Sequence, residues 1–125
     1  MTCLSVGNPH CVVFVPEVDA FPVEVVGPKI ENHKLFPKKT NVEFVQVLNE
    51  NELRVRVWER GCGETFACGT GACAVGVASI LHGYTDSPVE VVLPGGTLVI
   101  EWNGKGPVYL TGPVERVFSG QWIEA

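Results

Sequence analysis

The run Phe66-Ala67-Cys68-Gly69-Thr70-Gly71-Ala72-Cys73-Ala74-Val75-Gly76-Val77-Ala78-Ser79-Ile80-Leu81 carries no charged side chain. From Gly71 to Leu81 it is Ala, Cys, Val, Ile and Leu with two further small residues, and Gly83 follows as a stop signal. A helix lying on a surface would show a polar stripe at a 3.6-residue period; this one shows none, so it is predicted to be buried all round, inside a curved sheet.

The flanking sequence supplies that sheet. Cys11 to Val15 is β-branched and aromatic and stops at Pro16, which reads as a buried strand. Val42 to Val47 and Leu53 to Trp58 alternate, with Leu53, Val55 and Val57 on one face and Arg54 and Arg56 on the other. Asn49-Glu50-Asn51-Glu52 between them predicts a hairpin. Further strands are expected over Val89 to Leu93, Thr97 to Trp102, Val108 to Thr111 and Val114 to Phe118, separated by Pro94-Gly95-Gly96, Asn103 to Gly106 and Gly112-Pro113. A short helix is expected between Pro22 and His33, starting or restarting at Pro28. The sum is one α+β domain: a mixed, mostly antiparallel sheet of seven or eight strands wrapped as a barrel around a buried central helix, plus one shorter outer helix. No repeat, linker or low-complexity tract interrupts it.

Composition restricts the function. The chain has 125 residues, 46% of them hydrophobic, enough for one core without metals or staples. A formal net charge of −5 with scattered basic residues argues against a nucleic-acid surface. No apolar stretch approaches the ~20 residues of a spanning helix and the amino terminus lacks a signal-peptide pattern, so a soluble, cytoplasmic protein without a membrane partner is expected. The five cysteines are expected to be reduced. The spacing Cys62-x5-Cys68-x4-Cys73 fits neither a zinc site nor an iron-sulfur run, and no metal is expected.

The chemistry concentrates where the second hairpin strand leads into the buried helix, over Trp58-Glu59-Arg60-Gly61-Cys62-Gly63-Glu64-Thr65 and on to Cys73. Gly69, Thr70 and Gly71 fall where a first helical turn leaves backbone N–H groups unpaired, and glycines let a ligand approach that backbone. Such an end binds anions and favours a thiolate, so Cys68 is expected to have a lowered pKa. Glu59 and Arg60 offer an acceptor and a forked donor to a zwitterion. Against this stand plainer readings. Gly69-x-Gly71-x-x-Ala74 formally fits a dinucleotide fingerprint, although the hairpin-rich chain lacks its βαβ setting. A free cysteine is commonly inert and buried, which is the reading for Cys73, Cys3, Cys11 and Cys62. Asn8 and His10 in Gly7-Asn8-Pro9-His10 fit a surface turn, and Asn41 fits another. The residues alone therefore yield an anion site beside a cysteine, with no named substrate.

Five separated motifs, in order, resemble the diaminopimelate epimerase family: Gly7-Asn8-Pro9-His10-Cys11, Thr40-Asn41-Val42-Glu43-Phe44, Glu59-Arg60-Gly61-Cys62-Gly63-Glu64-Thr65 leading to Ala67-Cys68-Gly69-Thr70-Gly71-Ala72-Cys73-Ala74, Leu93-Pro94-Gly95-Gly96, and Tyr109-Leu110-Thr111-Gly112-Pro113. The resemblance implies an isomerase that needs no cofactor and interconverts LL- and meso-diaminopimelate for lysine and peptidoglycan synthesis, with two similar domains each supplying one cysteine. It places Cys68 as the catalytic cysteine of the second domain, and His10 and Glu59 as groups that tune the cysteine pair. Asn8, Asn41, Glu59, Arg60, Gly69 and Thr70 fall on substrate-binding positions. The chain would then be the carboxy-terminal half, its partner a first domain carrying a Cys-Gly-Asn-Gly motif that is not in this sequence, and inactive by itself; a homodimer is left open. Cys62 departs from the pattern, a small residue such as alanine being more usual there, and its nearness in sequence makes it a candidate for oxidation with Cys68. Two rival readings remain at this point: a proline-racemase-like or phenazine-biosynthesis-like isomerase of the same fold, and a non-catalytic anion-binding module.

Overall fold

The computed structural model describes residues 1–66 and 68–112 and the backbone of residues 120–122. Along the chain run β1 (Thr2–Ser5), β2 (Pro9–Phe14), α1 (Val23–Glu31), β3 (Asn41–Asn49), β4 (Glu52–Glu59), β5 (Gly63–Thr65), α2 (Gly69–Leu81), β6 (Val89–Leu93), β7 (Gly96–Glu101), β8 (Val108–Thr111) and β9 (Gly120–Trp122). The strands form one sheet in the order β1-β2-β3-β4-β6-β7-β8-β9, with β5 paired to β4 off this path. Among the described residues only the β2/β3 and β4/β6 pairs are parallel.

The two faces of this sheet carry two cores. On one, α2 packs against strands from both halves of the order, β1 to β3 and β6 to β8, so the sheet curls around it. Every residue from Gly71 to Ser79 is buried, as an all-apolar helix requires. Leu53, Val55 and Val57 of β4 face this core together with Val89, Val91 and Ile100. Close approach depends on Gly76, where a Cβ would stand 2.7 Å from the Ile100 side chain. On the opposite face α1 covers a smaller cluster of Val18, Val23, Val42 and Phe44, bordered by Trp58. There Gly27 is required, since a Cβ would lie 2.5 Å from the Trp58 ring. Arg54 and Arg56 point to this outer face, and Arg56 forks onto Glu64 of β5 at 2.8 and 2.9 Å.

Two expectations are corrected, and a third is not covered by the described residues. Pro28 does not begin α1 but sits inside it, behind an N-cap at Pro22; the helix persists because its buried face, including Val23 and Gly27, is held by tertiary packing. β1 and β5 escaped the pattern, being short strands fixed by pairing to β2 and β4 rather than by their own alternation. The strand expected over Val114 to Phe118 lies outside the described residues. The turn chemistry holds at Gly83, whose φ of +75° ends α2 in the left-handed region.

Candidate active site

Cys68 is the N-cap of α2, extended at φ −151°, ψ 109°. Its Sγ accepts the Gly71 N–H at 3.3 Å and lies 3.6 Å from Thr70 Oγ1. The Ala72 N–H is taken by the Cys68 carbonyl, while the Gly69 and Thr70 amides have no acceptor among the described residues. Two donors at a helix start are thus free for an anion. Behind the helix start, the Pro94-Gly95-Gly96 turn ties down the approach through the Gly95 N–H to the Phe66 carbonyl at 2.8 Å.

From Thr70 a side-chain chain runs inward. Asn8 Nδ2 donates to Thr70 Oγ1 at 3.4 Å, Asn8 Oδ1 lies 2.9 Å from His10 Nε2, and His10 Nδ1 lies 2.9 Å from Glu43 Oε2. His10 is buried, not the surface residue a turn would make it: parallel pairing carries it beside Asn41 in the middle of the sheet. Asn41 binds the Pro9 carbonyl through Nδ2 and the Arg60 N–H through Oδ1, at 3.1 and 2.7 Å, so it links the β2 start to the turn after β4. Asn8, His10, Asn41, Cys68, Gly69 and Thr70 therefore form one connected site. Glu59, at the end of β4, is near enough for its charge to act on both Cys68 and Glu43. Arg60 is exposed and donates to the Lys38 carbonyl at 3.4 Å.

Two residues were missed as site components. Glu43 is fully buried beneath the start of α2, and a Cβ on Gly71 would stand 3.2 Å from both Glu43 Oε2 and Cys68 Sγ. Its other oxygen, Oε1, has no hydrogen-bond partner among the described residues. Burial raises the Glu43 carboxyl above its ordinary value, against the opposing pull of His10. The signal was legible as one acidic residue between Val42 and Phe44, in the more apolar half of its strand. Glu31, at the end of α1, accepts the Gly61 N–H at 2.8 Å and Trp58 Nε1 at 2.9 Å, which holds the Glu59-Arg60-Gly61 turn. The Gly61 N–H holds its carboxyl below the ordinary value, outweighing burial.

The expected lowering of the Cys68 pKa is corrected. Burial pushes the thiol up and the Gly71 and Thr70 hydrogen bonds only partly offset it, while the charges of Glu43 and Glu59 push the same way as burial. Cys73, one turn on, is buried, as expected, and burial pushes its thiol up to about 12. Cys3 and Cys62 are exposed rather than packing residues, since one lies on β1 and the other in the turn before β5, outside both cores. A surface depression of about 510 Å³ lined by Ser87, Glu101, Trp102, Asn103, Pro107 and Tyr109 includes none of the candidate residues. Among the described residues no cluster suits a metal, and no helix is long and apolar enough to cross a membrane.

This architecture and sequence have relatives. The chain resembles, at 20% identity and a TM-score of 0.60 over 83% of its length, a structure described as a putative phenazine biosynthesis PhzC/PhzF protein from Clostridium difficile, of which it covers 37%. A phenazine biosynthesis protein of the PhzF family from Enterococcus faecalis matches with a TM-score of 0.61 at 18% identity, over 83% of this chain and 37% of that one. At such identities the likeness is one of fold. In sequence, the chain is 57% identical over 122 residues to the diaminopimelate epimerase of Pelotomaculum thermopropionicum, covering 98% of this chain and 44% of that protein. It is 58% identical over 120 residues to the diaminopimelate epimerase of Leptospira biflexa, covering 96% and 43%. The chain thus spans less than half the length of these curated relatives. Residues 2–117 match the family model described as diaminopimelate epimerase, and the chain belongs to that family.

Proposed function

We propose that this chain is the carboxy-terminal half of a cytoplasmic, cofactor-independent diaminopimelate epimerase, supplying Cys68 as one of two cysteines that invert an α-carbon. The observation that carries the proposal is the placement of the Cys68 sulfur at the start of α2, beside two free amides and at the end of the Thr70-Asn8-His10-Glu43 chain. Removing a weakly acidic C–H from one face of a carbon and returning a proton to the other needs a group on each face, and one side chain cannot reach both. A thiol and a thiolate exchange roles in one passage and hold a single proton between them, titrating as a pair. The raised Cys68 thiol suits the protonated member of that pair when the half-site is open. The Gly69 and Thr70 amides would take the substrate α-carboxylate, and Asn8, Asn41, Glu59 and Arg60 the distal amino-acid end. Carboxylate binding at oriented amides stabilises the developing carbanion, worth several kcal/mol in a closed site.

The length relation supports a missing first domain, and so does Phe66, 76% exposed two residues before Cys68. A large apolar side chain left in water beside the reacting sulfur marks a face made to be covered. The test is Cys68→Ala in the assembled two-domain enzyme, followed by conversion of LL- to meso-diaminopimelate. Loss of at least a thousandfold in kcat is expected. Activity within tenfold of the parent would remove Cys68 from the mechanism.

A further inference from the structure

Cys3 and Cys11 stand directly opposite one another in the antiparallel β1/β2 pair. Directly opposed cross-strand residues have Cα atoms about 4.5–5.5 Å apart, inside the window a disulfide accepts, and Cβ atoms only slightly wider than it needs. The remaining approach falls to β1, which pairs with β2 alone among the described residues and packs only lightly on α2. The two thiols differ in a useful way: Cys3 is exposed and open to an oxidant, whereas Cys11 is fully buried behind it. Both are free. We infer that Cys3 and Cys11 form a dithiol site that a peroxide converts to a cross-strand disulfide, clamping the hairpin that carries Asn8 and His10.

The chemistry balances with a peroxide as the only co-reactant. The Cys3 sulfur takes one peroxide oxygen, giving a sulfenic acid and releasing water. The Cys11 sulfur then attacks the Cys3 sulfur; the S–S bond forms as the S–O bond breaks, and the hydroxyl leaves with the Cys11 proton as a second water. Burial and the contact with Cys3 raise the Cys11 thiol to about 12, which makes it a slow first target and leaves oxidation to begin at Cys3. The bridge would sit one pair beyond Leu4↔His10, so both strands of the β1/β2 hairpin become fixed two pairs from the Ser5↔Pro9 end that leads into the turn. Its consequence for catalysis rests on the reading of Asn8 and His10 given above; formation of the bridge does not.

The sequence makes the test direct, because the tryptic peptide Met1–Lys29 contains Cys3 and Cys11 and no other cysteine. The reduced 125-residue chain is treated with hydrogen peroxide, denatured, alkylated with iodoacetamide and digested. Met1–Lys29 is expected to lose two hydrogens and both alkylation sites, two of the five thiols disappearing, with full recovery after dithiothreitol. The chain should stay monomeric. In Cys3→Ser, which changes an exposed side chain, Cys11 should remain alkylatable after the same treatment. Cys3 stopping at sulfinic acid with Cys11 free, Cys3 linking two chains, or a Cys62–Cys68 bridge forming while Met1–Lys29 stays reduced would each overturn the inference. Because only masses are read, failure here is separate from failure of the epimerase reading, which the Cys68→Ala assay decides.

Discussion

Glu43→Gln should change how stability depends on pH. Glu43 is fully buried, with Oε2 2.9 Å from His10 Nδ1 and Oε1 without a partner among the described residues. An unpaired buried acceptor costs on the order of 1–3 kcal/mol, and more when charged, so the folded chain prefers the carboxyl protonated. Its folded pKa is raised above the ordinary 4.5, with burial as the leading cause. The sign follows: the contribution is fully present below about pH 4.5 and is lost as pH rises through the folded value, because the unfolded chain releases the proton first. Glutamine keeps an amide group that can bond His10 Nδ1 and cannot ionise. Near pH 5 parent and variant should therefore differ by no more than about 1 kcal/mol, one neutral unpaired group replacing another. Above that, the parent should lose up to about 1.4 kcal/mol per pH unit relative to the variant until Glu43 itself ionises. Urea unfolding at pH 5, 6, 7 and 8, read by tryptophan fluorescence, measures this. At an m-value of about 1–3 kcal/mol/M the two midpoints should separate by up to roughly 0.5–1.4 M per pH unit in the variant's favour. A stability difference constant over that range would show that Glu43 titrates normally in the folded chain, and the account of the buried chain beneath Cys68 would be wrong.

Other substitutions probe the supports of the site. Glu31→Gln replaces one of the two carboxylate oxygens that accept from Gly61 and Trp58 with an amide donor and removes the charge, and should cost about 1–3 kcal/mol at pH 7, with the difference shrinking as pH falls below 4.5, since the Glu31 carboxyl is held low in the folded state; urea midpoints at pH 4 and 7 check it. Gly76→Ala puts a Cβ 2.7 Å from Ile100 and should destabilise by about 1–3 kcal/mol, with partial recovery in the Gly76→Ala, Ile100→Val double variant; thermal melts that show no recovery would place the strain elsewhere. In the isolated chain, iodoacetamide at pH 8 should label exposed Cys3 and Cys62 before Cys68, and leave Cys11 and Cys73 unlabelled, by peptide mapping at timed intervals.

The fold was legible because one segment had a single solution. An uncharged run ending at Gly83 can be buried on all sides only if a sheet curls around it, and the alternation of Leu53, Val55 and Val57 against Arg54 and Arg56 set which face of β4 meets it. Elements with weak local preference were harder. β1 and β5 exist through their partners, and α1 runs through Pro28 because Gly27 lets it seat against Trp58. At the site, the motifs located Asn8, His10, Asn41 and Cys68, but spacing could not show that His10 is buried against Glu43. Nor could it give the sign of the Cys68 shift, which depends on burial outweighing two hydrogen bonds, a balance set by the whole fold. Glu43 was visible as an acid between Val42 and Phe44, and a buried charge asks for a partner.

The central claim is that Cys68 is one half of a two-cysteine device. The 125-residue chain should be incubated with LL-diaminopimelate in deuterium oxide, following both deuterium at the α-carbon and meso product, and then mixed with a separately expressed domain carrying the Cys-Gly-Asn-Gly motif. With Cys68 alone, a proton can leave and return only on one face, in an open site that leaves the carbanion to water, so the chain should show at most slow exchange and no inversion. Meso product should appear only after mixing, and should vanish when the Cys68→Ala chain is mixed instead. Meso product formed by the short chain alone at an ordinary enzymatic rate would contradict the account.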